Sequence, residues 1–232
     1  MMVCRACKSE TFEPVIDGQD IYECGDCHSL FRGTLVDYQR YIACDYWYVG
    51  DKELKLHQKS LFGWFEDLIL DGPSIEFGAA DGDTVNSIRN IVSSEHMVVY
   101  NELKDLLRPE YRSKKIHTNV GTFENFEADH RFDNVVMIEV LEHLNDVPGA
   151  FSKVNDLLNV GGRFFISTDN GDSSPHRLNS IFMHWEHTVI LTKVAISMLA
   201  SQNGFRIIQY FTNPFGISFI VLQKQEEVGY EN

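Results

Sequence analysis

Short apolar runs typical of β-strands alternate with helical segments over most of the chain, and this alternation restricts the fold more than any other feature. The sequence predicts strands at 74–78, 97–101, 116–120, 134–140, 163–168, 206–212 and 217–223. Helices are predicted between them at 84–93, 103–107, 147–158 and 193–203. This order indicates an α/β sheet of parallel strands joined by helical crossovers. The last two strands are joined by 213–216 only, which is too short for a crossover helix, so they are predicted to form an antiparallel hairpin.

Four of the five cysteines lie near the N-terminus in two CxxC pairs. The pair Cys4 and Cys7 is separated from the pair Cys24 and Cys27 by 16 residues. Each CxxC turn directs two thiolates at one point, and four thiolates complete the tetrahedral coordination of Zn²⁺ without an open position. The spacing predicts a structural zinc ribbon over 1–33, in which metal binding supplies folding free energy. The alternative is a group of four reduced cysteines without a metal.

The segment between the ribbon and the first predicted strand, 34–71, is rich in aromatic residues and then becomes helical. A helix is predicted over 51–70, and Asp71-Gly72-Pro73 ends it. We expect this segment to cap the ligand cleft of an α/β domain that occupies 72–226. The alternative is that its aromatic residues pack against the sheet. The tail, 227–232, is expected to be frayed.

The charge balance restricts the class of partner. The formal net charge is −14, from 20 basic and 34 acidic side chains. Proteins that bind along nucleic acid usually present a basic face, so this balance argues against a nucleic-acid partner. No apolar run approaches the roughly 20 residues of a membrane span, and the N-terminus lacks the apolar stretch of a signal peptide. We therefore expect a cytoplasmic protein with no membrane partner.

A glycine-rich turn, IEFGAADGD at 75–83, follows the first predicted strand of the α/β domain. Gly78 and Gly82 would let the backbone approach a ligand without a Cβ clash. In doubly wound sheets this turn lies at the topological switch point, where nucleotide-like ligands bind. The spacing differs from the GxGxxG of dinucleotide binders. The acidic Glu76 suits instead a ligand with a cationic amino-acid portion.

Four segments resemble, in order, the motifs of class I S-adenosylmethionine-dependent methyltransferases. EFGAADG at 76–82 resembles the first motif, an acidic residue followed by xGxGxG, with Ala80 at a usual glycine position. FDNVVMIEVLEHLND at 132–146 is similar to the fourth-strand segment, and NVGGRFFIST at 159–168 to the PGGxxxIST stretch. EHTVILTKVAISMLASQNGF at 186–205 resembles EHxxxFTxxxLxxLLxxxGF. The resemblance implies a Rossmann-like fold, with a seven-stranded, mostly parallel sheet that contains one antiparallel strand.

The same resemblance implies S-adenosylmethionine as cofactor and assigns residues to it. The implied cofactor-binding residues are Glu76, Gly78, Ala80, Gly82, Glu102, Leu103, Thr122, Phe123 and Glu139. Glu102 would hold the ribose hydroxyls, and Thr122 and Phe123 would contact adenine. Glu139 would lie beside the methyl sulfonium. The usual acidic adenine contact after the third strand is absent from this sequence.

Glu139, Glu142 and His143 form an ExxEH pattern after the fourth predicted strand. The pattern resembles that of metal-using O-methyltransferases, in which a downstream histidine, here His187, completes a divalent site. Bound Mg²⁺ or Mn²⁺ would lower the pKa of an acceptor hydroxyl. Without a metal, His143 or His187 would act as general base, with Glu142 as the third candidate catalytic residue. Metal-free methyltransferases of the same class also carry this pattern, where it shapes the cofactor pocket.

With its ribbon, the chain is similar to methyltransferases encoded with sugar and polysaccharide biosynthesis. The leading hypothesis is methyl transfer to a hydroxyl of a small acceptor, a sugar or nucleotide-linked sugar, by in-line displacement. Three alternatives stay open. They are C- or N-methylation of a metabolite, 2′-O-methylation of RNA with a divalent metal, and a non-enzymatic S-adenosylmethionine-binding or zinc-scaffold protein.

Overall fold

The computed structural model describes residues 2–37, 65–79, 84, 97–101, 116–173 and 175–226. Its strands, in chain order, are β1 (Phe12–Pro14), β2 (Ile21–Cys24), β3 (Leu30–Arg32), β4 (Ser74–Phe77), β5 (Met97–Asn101), β6 (Ile116–Val120), β7 (Phe132–Ile138), β8 (Leu158–Asp169), β9 (Val189–Ile190), β10 (Phe205–Thr212) and β11 (Ile217–Lys224). The α-helices in these ranges are α1 (Val147–Leu157), α2 (His176–Met183) and α3 (Lys193–Gln202). Short 3₁₀ turns occupy Glu66–Leu68, Phe123–Asn125 and Leu141–His143.

The larger sheet has the strand order β10-β11-β8-β7-β4-β5-β6. Strands β4 to β8 pair in parallel, whereas β11 is antiparallel to both β8 and β10. The Rossmann-like α/β arrangement and the C-terminal hairpin predicted from sequence are therefore confirmed. The chain passes from β4 outward to β6 and then places β7 on the other side of β4. This reversal puts the topological switch point between the carboxyl ends of β4 and β7.

Several predicted boundaries differ from those of the structure. The helix predicted over 51–70 does not reach Leu70, because Phe65 to Leu70 form a 3₁₀ turn followed by extended chain. Tertiary contacts account for the difference: the Asn134 side chain bonds the Leu70 backbone, accepting at 3.0 Å and donating at 2.8 Å. The rest of that helix, the predicted helices at 84–93 and 103–107, and the tail lie outside the described residues, apart from residue 84.

Strand β8 begins at Leu158, earlier than predicted, and passes through a register shift opposite β7 before reaching Arg163. Strand β7 ends at Ile138, so Glu139 and Val140 lie beyond it. The helix α2 was not predicted from the sequence.

The smaller sheet has the order β1-β2-β3-β9, and all its pairs are antiparallel. Its first three strands come from the N-terminal module, the part of the chain that carries the two CxxC pairs. The fourth strand comes from the α/β part of the chain. Phe31 lines up with Val189 and Leu30 with Ile190. The N-terminal module and the α/β domain thus share a sheet. In the ranges given above, no helix is both long and apolar enough to cross a bilayer.

Candidate functional site

The loop after β4 begins with a glycine that both the backbone and the packing require. Gly78 has φ of +71°, a conformation that side chains disfavour, and a Cβ added there would lie 2.6 Å from Cγ2 of Val140. Glu76 precedes it in β4 and is 1% exposed. Ala80, Gly82, Glu102 and Leu103 lie outside the described residues, so their cofactor contacts stay predictions.

Thr122 and Phe123 follow β6 at the same edge of the sheet. Thr122 precedes the 3₁₀ turn, and Phe123 is 3% exposed. The Phe123 ring packs edge-on against Phe77 at 4.8 Å between centroids, and its carbonyl accepts a hydrogen bond from Lys153 Nζ at 2.9 Å. These contacts place Phe123 in the core beside β4, one of the two strands that flank the switch point. Its contact with adenine stays a prediction.

Glu139 occupies the turn directly after β7 and has a strained backbone. Its φ is +52°, which lies in the left-handed region. Residues other than glycine rarely adopt this conformation, and those that do cluster at functional sites. The Ser167 hydroxyl donates to its carboxylate at 2.5 Å. Burial, with the nearby Asp169 carboxylate, raises the pKa of Glu139 to about 7. Glu139 therefore exchanges a proton near neutral pH, at the carboxyl end of a central strand.

The 3₁₀ turn Leu141–His143 buries the other two residues of the ExxEH pattern. Glu142 is 1% exposed and His143 is 7% exposed. Thr168 donates a hydrogen bond to Glu142 Oε2 at 2.9 Å. Burial, reinforced by the Glu139 and Asp169 carboxylates, raises the pKa of Glu142 well above its ordinary value. Burial also lowers the pKa of His143 to about 4, so its ring is neutral at neutral pH.

His187 approaches this turn from the segment after α2. Its Nδ1 lies 2.9 Å from the Ser180 hydroxyl and 3.3 Å from Asp169 Oδ2. The ring contacts His143 edge-on, with centroids 4.9 Å apart, and stacks on His184 at 4.7 Å. Burial lowers the pKa of His187 to about 2, with smaller effects from His143, His184 and Arg32. The imidazole is therefore neutral, and Nε2 is the ring nitrogen left for a ligand or proton.

The three candidate catalytic residues meet in space. Ligand atoms of Glu142, His143 and His187 lie within 4.8 Å of one another, and His184, Glu186 and His187 form an overlapping group. Glu139 does not belong to either group. Metal binding at all four predicted positions stays a prediction.

From the sequence, Asp169 opens a DNGD run after the fifth predicted strand, which either contacts the acceptor or forms an ordinary turn. It ends β8 at the same sheet edge and is 8% exposed. Its Oδ1 lies 3.0 Å from His176 Nε2, and its Oδ2 accepts a hydrogen bond from Ser180. Its position at a carboxyl strand end was the one available signal in the sequence.

The cysteines also converge. Sulfur atoms of all four lie within 4.8 Å of one another, with Cys4 and Cys27 at 3.7 Å and Cys7 and Cys24 at 3.5 Å. Hydrogen bonding, from Cys4 first and then Ser29, lowers the pKa of Cys27 to about 5, whereas burial raises that of Cys7 to about 12. Four sulfur donors in one mostly buried group suit a tetrahedral Zn²⁺.

Comparison with known proteins is decisive for the class. The family model described as "Methyltransferase domain" matches residues 55–210, more than half of the chain. The chain belongs to the methyltransferase domain family. With the switch-point architecture, this membership identifies an S-adenosylmethionine-dependent methyltransferase. A search of the curated proteins finds no match for its sequence.

Solved structures share the fold of this methyltransferase at low sequence identity. One is from the complex between the Haloferax volcanii Trm112 methyltransferase activator and a putative methyltransferase, at 10% identity, TM-score 0.67, covering 83% of this chain and 99% of the other. The N-methyltransferase NodS from Bradyrhizobium japonicum, in complex with S-adenosyl-l-homocysteine, matches at 15% identity and TM-score 0.60, covering 81% and 96%. The PH0226 protein from Pyrococcus horikoshii matches at 14% identity and TM-score 0.61, covering 81% and 99%.

Proposed function

We propose that this methyltransferase transfers the methyl group of S-adenosylmethionine to a hydroxyl of a small sugar-like acceptor. The observation that carries the proposal is a neutral His187 whose Nδ1 faces the Asp169 carboxylate, 3.3 Å away, beside Glu142 and His143. This group lies at the carboxyl edge of β7 and β8, next to the switch point where the cofactor is expected.

The arrangement of His187 suits a general base. Nδ1 is bonded to the Ser180–Asp169 pair, which leaves the Nε2 lone pair to accept the hydroxyl proton. Burial, which lowers the pKa of His187, disfavours the imidazolium, so the Asp169 carboxylate has to offset that cost when the proton is transferred. S-adenosylmethionine bound there would supply the methyl group to the hydroxyl oxygen, and its sulfur would keep the electron pair of the broken sulfur–methyl bond. The proton passes to His187, and the Asp169 carboxylate stabilises the imidazolium that results. The fold contributes mainly by aligning oxygen, methyl carbon and sulfur.

The acceptor class follows from the polarity of this wall and from the family resemblance. Glu139 is half-buried at this edge, and its carboxyl group can accept hydrogen bonds from sugar hydroxyls. The ribbon-bearing layout is similar to that of methyltransferases encoded with sugar biosynthesis. The net charge of −14 disfavours a long nucleic-acid acceptor.

The test is incubation with methyl-labelled S-adenosylmethionine and a panel of nucleotide sugars, with a short RNA as a separate arm. We expect label on a sugar oxygen, and a His187→Gln variant that keeps cofactor affinity while kcat falls by roughly 100-fold or more. His130 bonds Asp129 at the surface, and His130→Gln is the control for loss of an imidazole. Label on RNA, nitrogen or carbon, or an undiminished His187→Gln enzyme, would contradict the proposal.

A divalent cation at the cluster is the second candidate, because the group of Glu142, His143 and His187 has the composition of such a site. Burial is the main cause of the raised pKa values of Glu139 and Glu142, and neighbouring carboxylates raise them further, so a cation bound there would favour the ionised forms. Glu142, His143 and His187 would hold the ion. The bound ion would lower the pKa of the acceptor hydroxyl, and the protein residues would orient that hydroxyl toward the methyl group.

We also propose that Cys4, Cys7, Cys24 and Cys27 bind one structural Zn²⁺. The convergence of their four sulfur atoms supports this assignment. Cys24→Ser is expected to lose the zinc and to lower the melting temperature, whereas Cys44→Ser, outside the CxxC pattern, should keep the zinc. Elemental analysis of the purified proteins decides, and full zinc in Cys24→Ser would refute the site.

A further inference from the structure

The N-terminal module contacts the catalytic wall through one arginine side chain. Arg32 ends β3, and its guanidinium donates to three backbone carbonyls of the segment that leads to His187. Nε donates to the His187 carbonyl at 3.0 Å, and Nη2 donates to the carbonyls of Ile181 and His184. Burial lowers the pKa of Arg32, but arginine stays charged in proteins. A partly buried cation thus lies against the backbone that carries the proposed base.

Two of these carbonyls belong to the C-terminal end of α2, where helix carbonyls lack partners within the helix and a positive charge is favourable. The same helix carries Ser180, whose hydroxyl lies 2.9 Å from His187 Nδ1. Arg32 caps α2, which carries Ser180, and it also bonds the His187 carbonyl. It thereby fixes Ser180 and His187 relative to each other.

Thr188 extends the connection to the ExxEH turn. Its carbonyl accepts from the Arg32 backbone N–H at 2.9 Å, and its own N–H donates to the Glu142 carbonyl at 2.6 Å. The buried Thr188 hydroxyl is also bonded to the carbonyls of Glu142 and Leu144, at 3.1 and 2.6 Å. The ribbon, the His187 segment and the Glu142 turn are therefore joined by continuous hydrogen bonds.

We infer, on the basis of the function proposed above, that Arg32 is a positioning residue through which the ribbon holds His187 in place for methyl transfer. The geometry requires the planar fork of a guanidinium, because one side chain must donate in several fixed directions. A lysine ammonium cannot reproduce that pattern. The β3–β9 pairing and the Arg32 backbone bond do not involve the side chain, so the module stays attached when the guanidinium is removed.

The test compares Arg32→Ala and Arg32→Lys with a matched control, Lys8→Gln. Lys8 also joins the two parts of the chain, through a 2.6 Å ion pair with Asp146, but it contacts no residue of the His187 segment. We expect both Arg32 variants to keep zinc content and S-adenosylmethionine affinity while kcat falls about 10- to 100-fold. Millimolar guanidinium ion should restore part of the activity of Arg32→Ala, and Lys8→Gln should keep its kcat.

A second readout needs no acceptor. The ¹⁵N resonances of the His187 ring, assigned by their loss in His187→Gln, should shift in Arg32→Ala and not in Lys8→Gln. Unchanged resonances with unchanged kcat in a zinc-replete Arg32→Ala protein would overturn the positioning role. Shifted resonances with full turnover would show that Arg32 positions His187 but that His187 is not the base, which overturns the proposed function. Failure of Arg32→Ala to fold leaves Arg32→Lys as the deciding variant, and wild-type turnover there refutes the need for a guanidinium.

Discussion

Asp169 Oδ2 and His187 Nδ1 lie 3.3 Å apart, although 17 residues separate them in the chain. Asp169 ends a central strand, whereas His187 belongs to the connection that follows α2. The Ser180 hydroxyl bonds both residues, and the carboxylate also bonds His176 through its other oxygen. Asp169 therefore holds His187 through Ser180 and lies where its charge would compensate an imidazolium formed by proton transfer.

Asp169→Asn should lower kcat about 10- to 100-fold with little change in S-adenosylmethionine affinity, because the variant loses the charge that stabilises a protonated His187. Single-turnover kinetics and calorimetry measure the two quantities. His176→Gln is the control, since His176 bonds the other oxygen of the same carboxylate without contacting His187. Equal losses in both variants would point to a general disturbance of the strand end.

Glu139→Gln should stabilise the cofactor-free protein at pH 8 and change its stability little at pH 4. Glu139 has a pKa of about 7 when folded against an ordinary value of 4.5. The folded state binds more protons between these values, so this group's contribution to stability falls as pH rises through that window. Melting temperatures at the two pH values check the sign. Glu127→Gln, on the exposed surface, controls for removal of a carboxylate, and a pH-independent gain in Glu139→Gln would contradict the expectation.

Gly78→Ala should weaken both folding and cofactor binding. Gly161 has a similar φ of +81°, but a Cβ there meets no atom within 4 Å. Each substitution carries a backbone cost of roughly 1–2 kcal/mol, and only Gly78→Ala adds the contact with Val140. Denaturant unfolding and cofactor titration compare the two variants. Equal stability losses in the two variants, with intact cofactor affinity, would show that close approach of the backbone to Val140 and to the cofactor is not the reason for glycine at position 78.

Removal of divalent ions separates the two proposed modes of hydroxyl activation. If Glu142, His143 and His187 hold a cation, a chelator should abolish turnover, and Mg²⁺ or Mn²⁺ should restore it at constant zinc content. If His187 acts as the base alone, turnover should survive the chelator and still fall in His187→Gln. Zinc measured before and after treatment shows whether the chelator has also removed metal from the proposed cysteine site.

Much of the fold was predictable because local sequence carries it. The strands of the α/β domain alternate with helices, and the short link 213–216 permits only a hairpin, as the structure confirms. The predicted end of the helix at Leu70 was wrong, because the Asn134 side chain and the packing of Phe65 against Phe165 outweigh helical propensity there. Strand β9 has two residues, too few for any periodic signal.

The sequence by itself determined the class of fold, the pairing of the cysteines into two knuckles and the ExxEH residues, because each of these depends on spacing along the chain. Only the tertiary structure decided that Asp169 and Ser180 face His187 and that Arg32 of the N-terminal module bonds the His187 segment. These contacts join residues up to 155 positions apart. They exist because parallel strands bring their carboxyl ends to one edge and because β3 of the N-terminal module pairs with β9. No local pattern in the sequence encodes these contacts.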